Sequence, residues 1–213
     1  MLSAGLKLEG VTIRQDGTTL VSISDHIEPG EVLTVMGPSG SGKSTLLSYV
    51  IGTLNGDFDA SGRVILNGRD ITGMAPEQRR VGILFQDELL FPHLSVGQNL
   101  AFGLRASVQG RAERTAQIEA ALDDIGLGGF AARDPETLSG GQKARVALMR
   151  MLLSGPEALL LDEPFSRLDM ERRDQVRSLV FAQARSKGLP VLLVTHDQAD
   201  AAAAGGRVYR LGV

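Results

Sequence analysis

The sequence contains no cysteine and no tryptophan, and only three histidines occur among its 213 residues. Without cysteine the chain can form no disulfide framework, no thiolate zinc site and no cysteine nucleophile. Aromatic residues make up only 4% of the chain, which disfavours the stacking surfaces that bind single-stranded nucleic acid. The 22 basic and 25 acidic side chains give a net charge of −3, so a basic surface that covers the whole chain is excluded as well.

Long apolar segments are also absent. Runs such as residues 158–161 and 191–194 are far shorter than the roughly 20 residues that cross a bilayer. Residues 1–7 lack the charged-then-apolar pattern of a signal peptide. We therefore expect a soluble, cytoplasmic chain whose contact with a membrane comes through a partner.

Glycine, in contrast, is abundant, with 26 residues, and it clusters after one apolar segment. Residues 32–36 form a continuous apolar run, which is typical of a strand buried on both faces. The glycine-rich stretch 37–42 follows, and residues 43–53 continue as a predicted helix. Two alternating segments, 6–13 and 18–27, precede this unit and predict an antiparallel strand pair.

The second half of the chain changes its periodicity twice. From about residue 95 to 153 apolar side chains recur at helical spacing. Strand-like runs then return at residues 158–161 and 191–195, with a helix predicted between them and a last strand near residues 207–211. We therefore expect an α/β domain in which segments 1–94 and 154–213 enclose a helical insertion at 95–153.

The glycine cluster fits the phosphate-loop pattern G-x-x-x-x-G-K-[ST]. Its backbone N–H groups and the start of the following helix attract a phosphate anion. Lys43 can reach the β- and γ-phosphates of a nucleotide, and the Ser44 hydroxyl can ligate Mg²⁺. A plain glycine-serine linker is the alternative, but a linker would not lie between a buried strand and a helix. The phosphate loop comprises Gly37, Pro38, Ser39, Gly40, Ser41, Gly42, Lys43, Ser44 and Thr45.

Two adjacent carboxylates end the apolar run at residues 159–161. Ligands of open α/β sheets collect at the carboxyl ends of the strands, which is where these side chains are expected. Asp162 fits a partner of Mg²⁺, and Glu163 fits a general base that polarises an attacking water. A charged turn without function is the alternative reading of this pair.

Further motifs follow the same order along the chain as in one known family. Ser139 is a natural N-cap whose two following glycines leave backbone amides bare. With Gln86, residues 166–169 and residues 195–197, this motif closely resembles the ATP-binding cassette (ABC) ATPases over nearly the whole chain. The motif itself comprises Ser139, Gly140, Gly141 and Gln142.

This resemblance implies a single domain, residues 1–213, with a RecA-like P-loop NTPase core, an antiparallel β subdomain and an inserted α-helical subdomain. It also implies ATP and Mg²⁺ as cofactors and a dimer of two copies, in which residues 139–142 of one face the phosphate loop of the other. By the same likeness Gln86 contacts Mg²⁺ and the attacking water, His196 contacts the γ-phosphate, and Asp169 communicates across the dimer.

The segment from Gln86 to Leu100 is similar to that of importer cassettes for small solutes. The likeness implies that this segment receives a membrane permease, with a solute-binding protein in the same complex and no nucleic-acid partner. Its apolar contacts would be Leu89, Leu90, Phe91 and Leu94. The chain is then peripheral on the inner face of the cell membrane.

Three departures from the family pattern stand out. Residues 14–17 carry no aromatic side chain to stack on adenine, and none precedes Tyr49, so that Arg14 becomes the candidate cation–π substitute. Arg167 stands where a small residue is common. The chain ends soon after His196, which predicts that the regulatory domain of many sugar and polyamine importers is missing.

Other functions remain open at this point. An exporter uses the same ATPase, so export is an alternative to import. A soluble ABC ATPase acting on nucleic acid or ribosomes is disfavoured by the acidic balance and by the lack of a second cassette or cysteine-rich element. A P-loop small-molecule kinase would explain the phosphate loop but not residues 139–142.

Overall fold

The computed structural model describes residues 4–87 and 89–212. Its nine strands in these ranges are β1 (Leu6–Gln15), β2 (Thr18–Ile27), β3 (Val32–Met36), β4 (Asp59–Leu66), β5 (Arg69–Asp70), β6 (Val81–Leu84), β7 (Ala158–Asp162), β8 (Val191–Thr195) and β9 (Arg207–Arg210). The helices are α1 (Lys43–Ile51), α2 (Val96–Gly103), α3 (Arg111–Asp124), α4 (Gly140–Leu153), α5 (Met170–Ser186) and α6 (Gln198–Ala204), with 3₁₀ turns at Pro76–Gln78 and Pro135–Thr137.

The N-terminal strands form an antiparallel sheet in the order β2-β1-β4-β5. β1 and β2 pair from Leu6 opposite Ile27 to Gln15 opposite Thr18. Asp16 and Gly17 join them with positive φ angles of 50° and 77°, the conformation that two-residue hairpin turns favour. The predicted antiparallel pair is therefore confirmed, and β1 runs two residues beyond the predicted 6–13.

The second sheet has the order β6-β7-β8-β3-β9. β3 pairs in parallel with both β8 and β9, and all five of its residues are buried. Because β3, β7 and β8 run parallel, their carboxyl ends share one edge of the sheet, with Met36 opposite Thr195 and Asp162 opposite Val194. The α/β class predicted from the sequence is confirmed, and this edge carries the polar residues discussed below.

The chain divides into two compact units. The first unit holds the part up to Ile83, Glu157–Glu163 and the part from Phe181 onward. The second unit holds Leu84–Pro156 and Pro164–Val180, which is more than the predicted insertion at 95–153. The reason is tertiary packing, since a Cβ on Gly141 in α4 would touch the side chain of Arg172 in α5 at 3.4 Å. Helical periodicity alone does not reveal that contact.

Both sheets and α1 contribute to one apolar core in the first unit. Leu6 and Ile13 from β1, Val35 from β3, and Leu46 and Val50 from α1 are completely buried in it. Burying each such side chain contributes on the order of 1.5–3 kcal/mol, so the core fixes α1 against the sheets. The position of the phosphate loop follows from this packing, because the loop joins β3 to α1.

The second unit is built on the contact of α2 with α4. At Gly103 an added Cβ would lie 1.9 Å from the carbonyl oxygen of Arg150, so only glycine allows this approach. The buried Asn99 side chain accepts from the Phe91 N–H at 2.9 Å and donates to the carbonyls of Phe91 and Leu94 at 3.1 Å each. Residues 91–94 are thereby held against α2. Within the described ranges, no helix has the length and apolarity needed to cross a membrane.

Candidate nucleotide-binding site

The phosphate loop connects the end of β3 to the start of α1 through two glycines in the left-handed region. Gly40 has φ 79° and Gly42 has φ 88°. A Cβ on Gly42 would lie 2.9 Å from Val21 Cγ2 in β2, whereas one on Gly40 would meet open space. Gly42 is the N-cap of α1 and supplies no side-chain cap, so that the first-turn N–H groups can serve an anion.

Lys43 is the one lysine buried within the described residues, with 6% exposure. Its Nζ donates to the carbonyl oxygens of Gly37 at 2.9 Å and Pro38 at 2.8 Å. No salt bridge to Lys43 occurs within the described ranges. An ammonium group held by neutral carbonyls has no hydrogen-bonded counter-ion, and this arrangement suits the β- and γ-phosphates of a nucleotide.

Ser44 and Asp162 lie together at the carboxyl edge of the parallel sheet. The Ser44 hydroxyl donates to Asp162 Oδ1 at 3.1 Å, across 118 positions of sequence. Burial raises the pKa of Asp162, and the neighbouring Glu163 charge adds to this rise, whereas the Ser44 hydrogen bond and Lys43 oppose it. A cation beside Asp162 would relieve the cost of its buried charge.

A magnesium ion fits these oxygen atoms. Mg²⁺ prefers oxygen ligands, and proteins often supply one or two while phosphate and water supply the others. The described part of the chain contains no group of three or more His, Asp or Glu side chains that could hold a metal alone. The Ser41 hydroxyl oxygen is buried without a partner there, as expected of a loop built to receive further polar atoms. Ser44 and Asp162 therefore suit a metal that arrives with phosphate.

Glu163 directly follows β7 in a strained conformation. Its φ of 47° places a non-glycine residue in the left-handed region, which costs about 1–3 kcal/mol. The Glu163 N–H donates to the carbonyl of Val194 at 2.9 Å, which holds this bend against β8. The Glu163 carboxylate reaches His196 Nδ1 at 3.1 Å, and the two side chains are 23% and 61% exposed. This geometry joins the predicted base to the predicted γ-phosphate contact.

A polar network behind His196 was not predicted from the sequence. The Asp197 N–H donates to Thr195 Oγ1 at 3.0 Å, and Thr195 Oγ1 donates to Asp200 Oδ2 at 3.2 Å. Asp200 is 1% exposed. The sequence offered one signal for this network, an acidic residue inside the alanine-rich α6. A carboxylate at such a position is buried only where it has a polar partner. This network fixes the turn that carries His196.

The remaining predicted site residues, Gln86, residues 139–142 and Asp169, all belong to the second unit. Gln86 is exposed and lies two positions beyond the end of β6. Ser139 and Gln142 form a capping box, in which Gln142 N–H donates to Ser139 Oγ at 3.4 Å and Ser139 N–H donates to Gln142 Oε1 at 2.9 Å. Asp169 accepts from the N–H of Arg172 at 3.1 Å and so caps the start of α5.

Arg14, the candidate for a cation–π contact with adenine, and Tyr49, the first aromatic residue after it among Phe, Tyr and Trp, both have partners within the protein. Arg14 is exposed at the β1–β2 hairpin, where its Nε donates to Thr19 Oγ1 at 3.4 Å. The Tyr49 hydroxyl donates to the carbonyl of Gly62 at 2.9 Å, and burial raises the Tyr49 pKa. Tyr49 is thus engaged with β4, and the hairpin offers a guanidinium instead of an aromatic ring.

Comparison with known proteins defines the class. The family model described as ABC transporter matches residues 20–166, and the chain belongs to this family. It is an ABC-type ATPase, as the resemblance implied, and the predicted fold class and ATP binding are confirmed with it.

Among its relatives is the uncharacterized ABC transporter ATP-binding protein YnjD of Escherichia coli K12, which is 48% identical over 92% of this chain and 90% of its own length. The spermidine/putrescine import ATP-binding protein PotA of Pseudomonas aeruginosa is 42% identical over 95% of this chain and 55% of its own. The sulfate/thiosulfate import ATP-binding protein CysA of Mycobacterium tuberculosis is 42% identical over 86% of this chain and 53% of its own length. The chain thus spans about half the length of these two import relatives.

Proposed function

We propose that this chain is the ATP-hydrolysing subunit of an ABC importer for a small solute. The observation that carries the proposal is the shared sheet edge, where the phosphate loop, the Ser44–Asp162 pair and the Glu163–His196 contact all belong to the first unit. The printed functions of the polyamine and sulfate relatives support import over export.

The phosphate loop binds the nucleotide through its backbone and one side chain. The N–H groups of the first turn of α1 take the phosphate oxygens, and Lys43 exchanges its carbonyl partners for them. Ser44 and Asp162 would hold Mg²⁺ through their oxygen atoms, and the ion would supply charge neutralisation at the phosphates when bound.

Hydrolysis then falls to Glu163 and His196. Glu163 accepts a hydrogen bond from the attacking water and orients it, the positioning that phosphoryl transfer requires. His196 moves from Glu163 to the γ-phosphate, and the network from Asp200 through Thr195 keeps its backbone in place. Gln86 contacts Mg²⁺ and the attacking water, a role that rests on the family resemblance.

A second copy of the chain completes the working form in this proposal. Residues 139–142 of one copy cover the nucleotide held by the loop of the other. The capping box already uses the N–H groups of Ser139 and Gln142, while no partner occurs for those of Gly140 and Gly141 among the described residues. Two free amides at a helix start suit a phosphate from another molecule. Asp169, at the start of α5, communicates between the copies.

The permease docks on the segment from Gln86 to Leu100. Leu89 is 57% exposed, and Phe102 in the adjoining α2 is 70% exposed. The Phe91 ring packs edge-on against Phe102 with centroids 4.8 Å apart, and the Arg150 guanidinium lies 5.1 Å from the Phe91 ring centre. An apolar patch of this kind suits a partner surface. The chain then works at the cytoplasmic face of the membrane, together with a permease and a solute-binding protein.

The test of the hydrolytic assignment is the substitution Glu163→Gln. The proposal expects ATP turnover to fall at least about 100-fold, the typical size of a general-base contribution, while ATP-dependent dimerisation persists in light scattering. Glu77→Gln, an exposed glutamate elsewhere in the first unit, is the matched control and should keep wild-type turnover. Unchanged hydrolysis by Glu163→Gln would refute the assignment of the base.

A further inference from the structure

An ion pair joins two segments of the second unit that are distant in sequence. Arg167 Nη1 contacts Asp87 Oδ1, and the two side chains are 58% and 48% exposed. Asp87 follows the exposed Gln86 directly, and Arg167 lies two residues before Asp169. The pair therefore links the segment that leaves β6 to the segment that enters α5.

The two ends of this link are anchored unequally. On the Arg167 side, Phe165 is fully buried and its carbonyl accepts from the Leu168 N–H at 3.2 Å. Asp169 then caps α5 through the Arg172 N–H. The Arg167 side is thus fixed by the core and by a helix start.

On the Asp87 side the chain has weaker support. Phe85 is 43% exposed and Gln86 is also exposed. Leu89, two residues beyond Asp87, has a φ of 45° and 57% exposure. The ion pair therefore places the more weakly held segment against the better anchored one.

We propose that Arg167 is a positioning residue for ATP hydrolysis, which holds Gln86 in its working position through the ion pair with Asp87. The proposal rests on the role of Gln86 given above. An exposed pair contributes little to global stability, so its effect is expected on turnover rather than on folding. Arg167→Lys keeps the positive charge and should keep most of the wild-type turnover.

The test is a double-mutant cycle on the purified full chain, with kcat and KM for ATP measured separately. Arg167→Ala and Asp87→Ala should each lower kcat roughly two- to five-fold, the range that weak exposed pairs allow, with KM nearly unchanged. The double variant should be no worse than either single one. Arg167→Lys and the exchanged pair Asp87→Arg with Arg167→Asp should restore most of kcat.

Salt and a second ion pair supply the controls. The difference between Arg167→Ala and wild type should shrink between about 50 mM and 500 mM salt, because exposed charges are screened. Arg63 pairs with Glu9 in the first unit at a similar exposure of 61%, and Arg63→Ala should leave kcat unchanged. Thermal unfolding of every variant verifies that the fold is retained.

The variant Gln86→Ala separates failure of this inference from failure of the proposed function. If Arg167 acts through Gln86, then adding Arg167→Ala to Gln86→Ala lowers kcat no further. Wild-type kcat in Arg167→Ala alongside a low kcat in Gln86→Ala overturns the positioning role alone. Wild-type kcat in Gln86→Ala overturns the role of Gln86 and this inference with it. Additive losses in the cycle, or an effect confined to KM, also contradict the inference.

Discussion

In the first unit Lys43 donates to two carbonyls of its own loop and Asp162 is partly buried beside Ser44, whereas in the second unit Ser139 and Gln142 satisfy each other in a capping box. The first arrangement leaves the Lys43 ammonium and the Asp162 carboxylate without a salt bridge among the described residues. In the second arrangement the Ser139 and Gln142 side chains are already hydrogen-bonded. This difference agrees with the proposed function, in which the first unit holds the nucleotide and residues 139–142 meet a nucleotide held by another copy.

The largest effect is expected from removing the buried ammonium. Lys43→Ala should weaken ATP binding by about 100-fold or more, because two or more charge-assisted bonds to phosphate are lost. Calorimetric titration of ATP measures this. Lys187→Ala, at an exposed position directly after α5, is the control and should bind ATP as wild type does. Near-normal ATP affinity in Lys43→Ala would contradict the role of Lys43 in binding the phosphates.

The loop glycines allow a matched pair. Gly40 and Gly42 have similar positive φ angles, 79° and 88°, but only at Gly42 does a Cβ approach Val21 closely. Gly40→Ala should lower the free energy of unfolding by about 1 kcal/mol and Gly42→Ala by about 2–4 kcal/mol, because the clash adds to the backbone strain. Denaturant titration measures both. Equal losses of unfolding free energy in the two variants would show that the loop relieves the contact with β2 without destabilising the fold.

A pair of capping serines separates structural from functional roles in the second unit. Ser95 and Ser139 each form a capping box, at α2 and α4. Replacing either with alanine should cost about 1 kcal/mol of stability. Ser139→Ala alone should weaken ATP-driven dimerisation, and neither change should alter ATP binding to the single chain. Equal dimerisation of the two variants would remove residues 139–142 from the interface.

The smallest effect concerns the protonation of Asp162. Its pKa is raised above the ordinary 3.8 by burial, so the folded state binds this proton more tightly than the unfolded state does. The contribution of Asp162 to the free energy of unfolding of the nucleotide-free chain is therefore largest at low pH. It falls as the pH rises from about 3.8 through the raised pKa of the folded state. Asp162→Asn should remove that slope and stabilise the nucleotide-free chain at neutral pH.

Denaturant titration across pH checks this expectation. Asp59→Asn, at the exposed start of β4, is the matched control and should keep the slope. The slope of the wild-type chain should also vanish when ATP and Mg²⁺ are bound, since the carboxylate then has a cation beside it. A slope that survives in Asp162→Asn would assign it to another group.

Local patterns in the sequence predicted β3, the phosphate loop and α1, because hydrophobic periodicity and glycine placement act over a few residues. The position of Asp162 and Glu163 at the carboxyl edge of the sheet was also predicted, since the end of a buried strand marks a sheet edge. The contact of Glu163 with His196 was not predicted, because it depends on β7 and β8 lying side by side.

Other features came from tertiary structure alone. The partner of Arg167 is 80 positions away in the sequence, at Asp87, and no spacing rule connects exposed charges at that distance. The structural role of Asp200 follows only from its burial and its hydrogen bond with Thr195, which the sequence does not predict. The second unit also includes the start of α5, where Arg172 lies close to Gly141 of α4, and helical periodicity does not predict that contact.

The most direct test of the central claim is affinity capture of the tagged chain from gently solubilised native membranes, followed by mass spectrometry. We expect a multi-span permease together with a solute-binding protein, whose ligand then identifies the transported solute. A permease without a binding protein would contradict import and favour export. Recovery from the cytosol alone, with ribosomal or DNA-binding proteins, would contradict the transport function altogether.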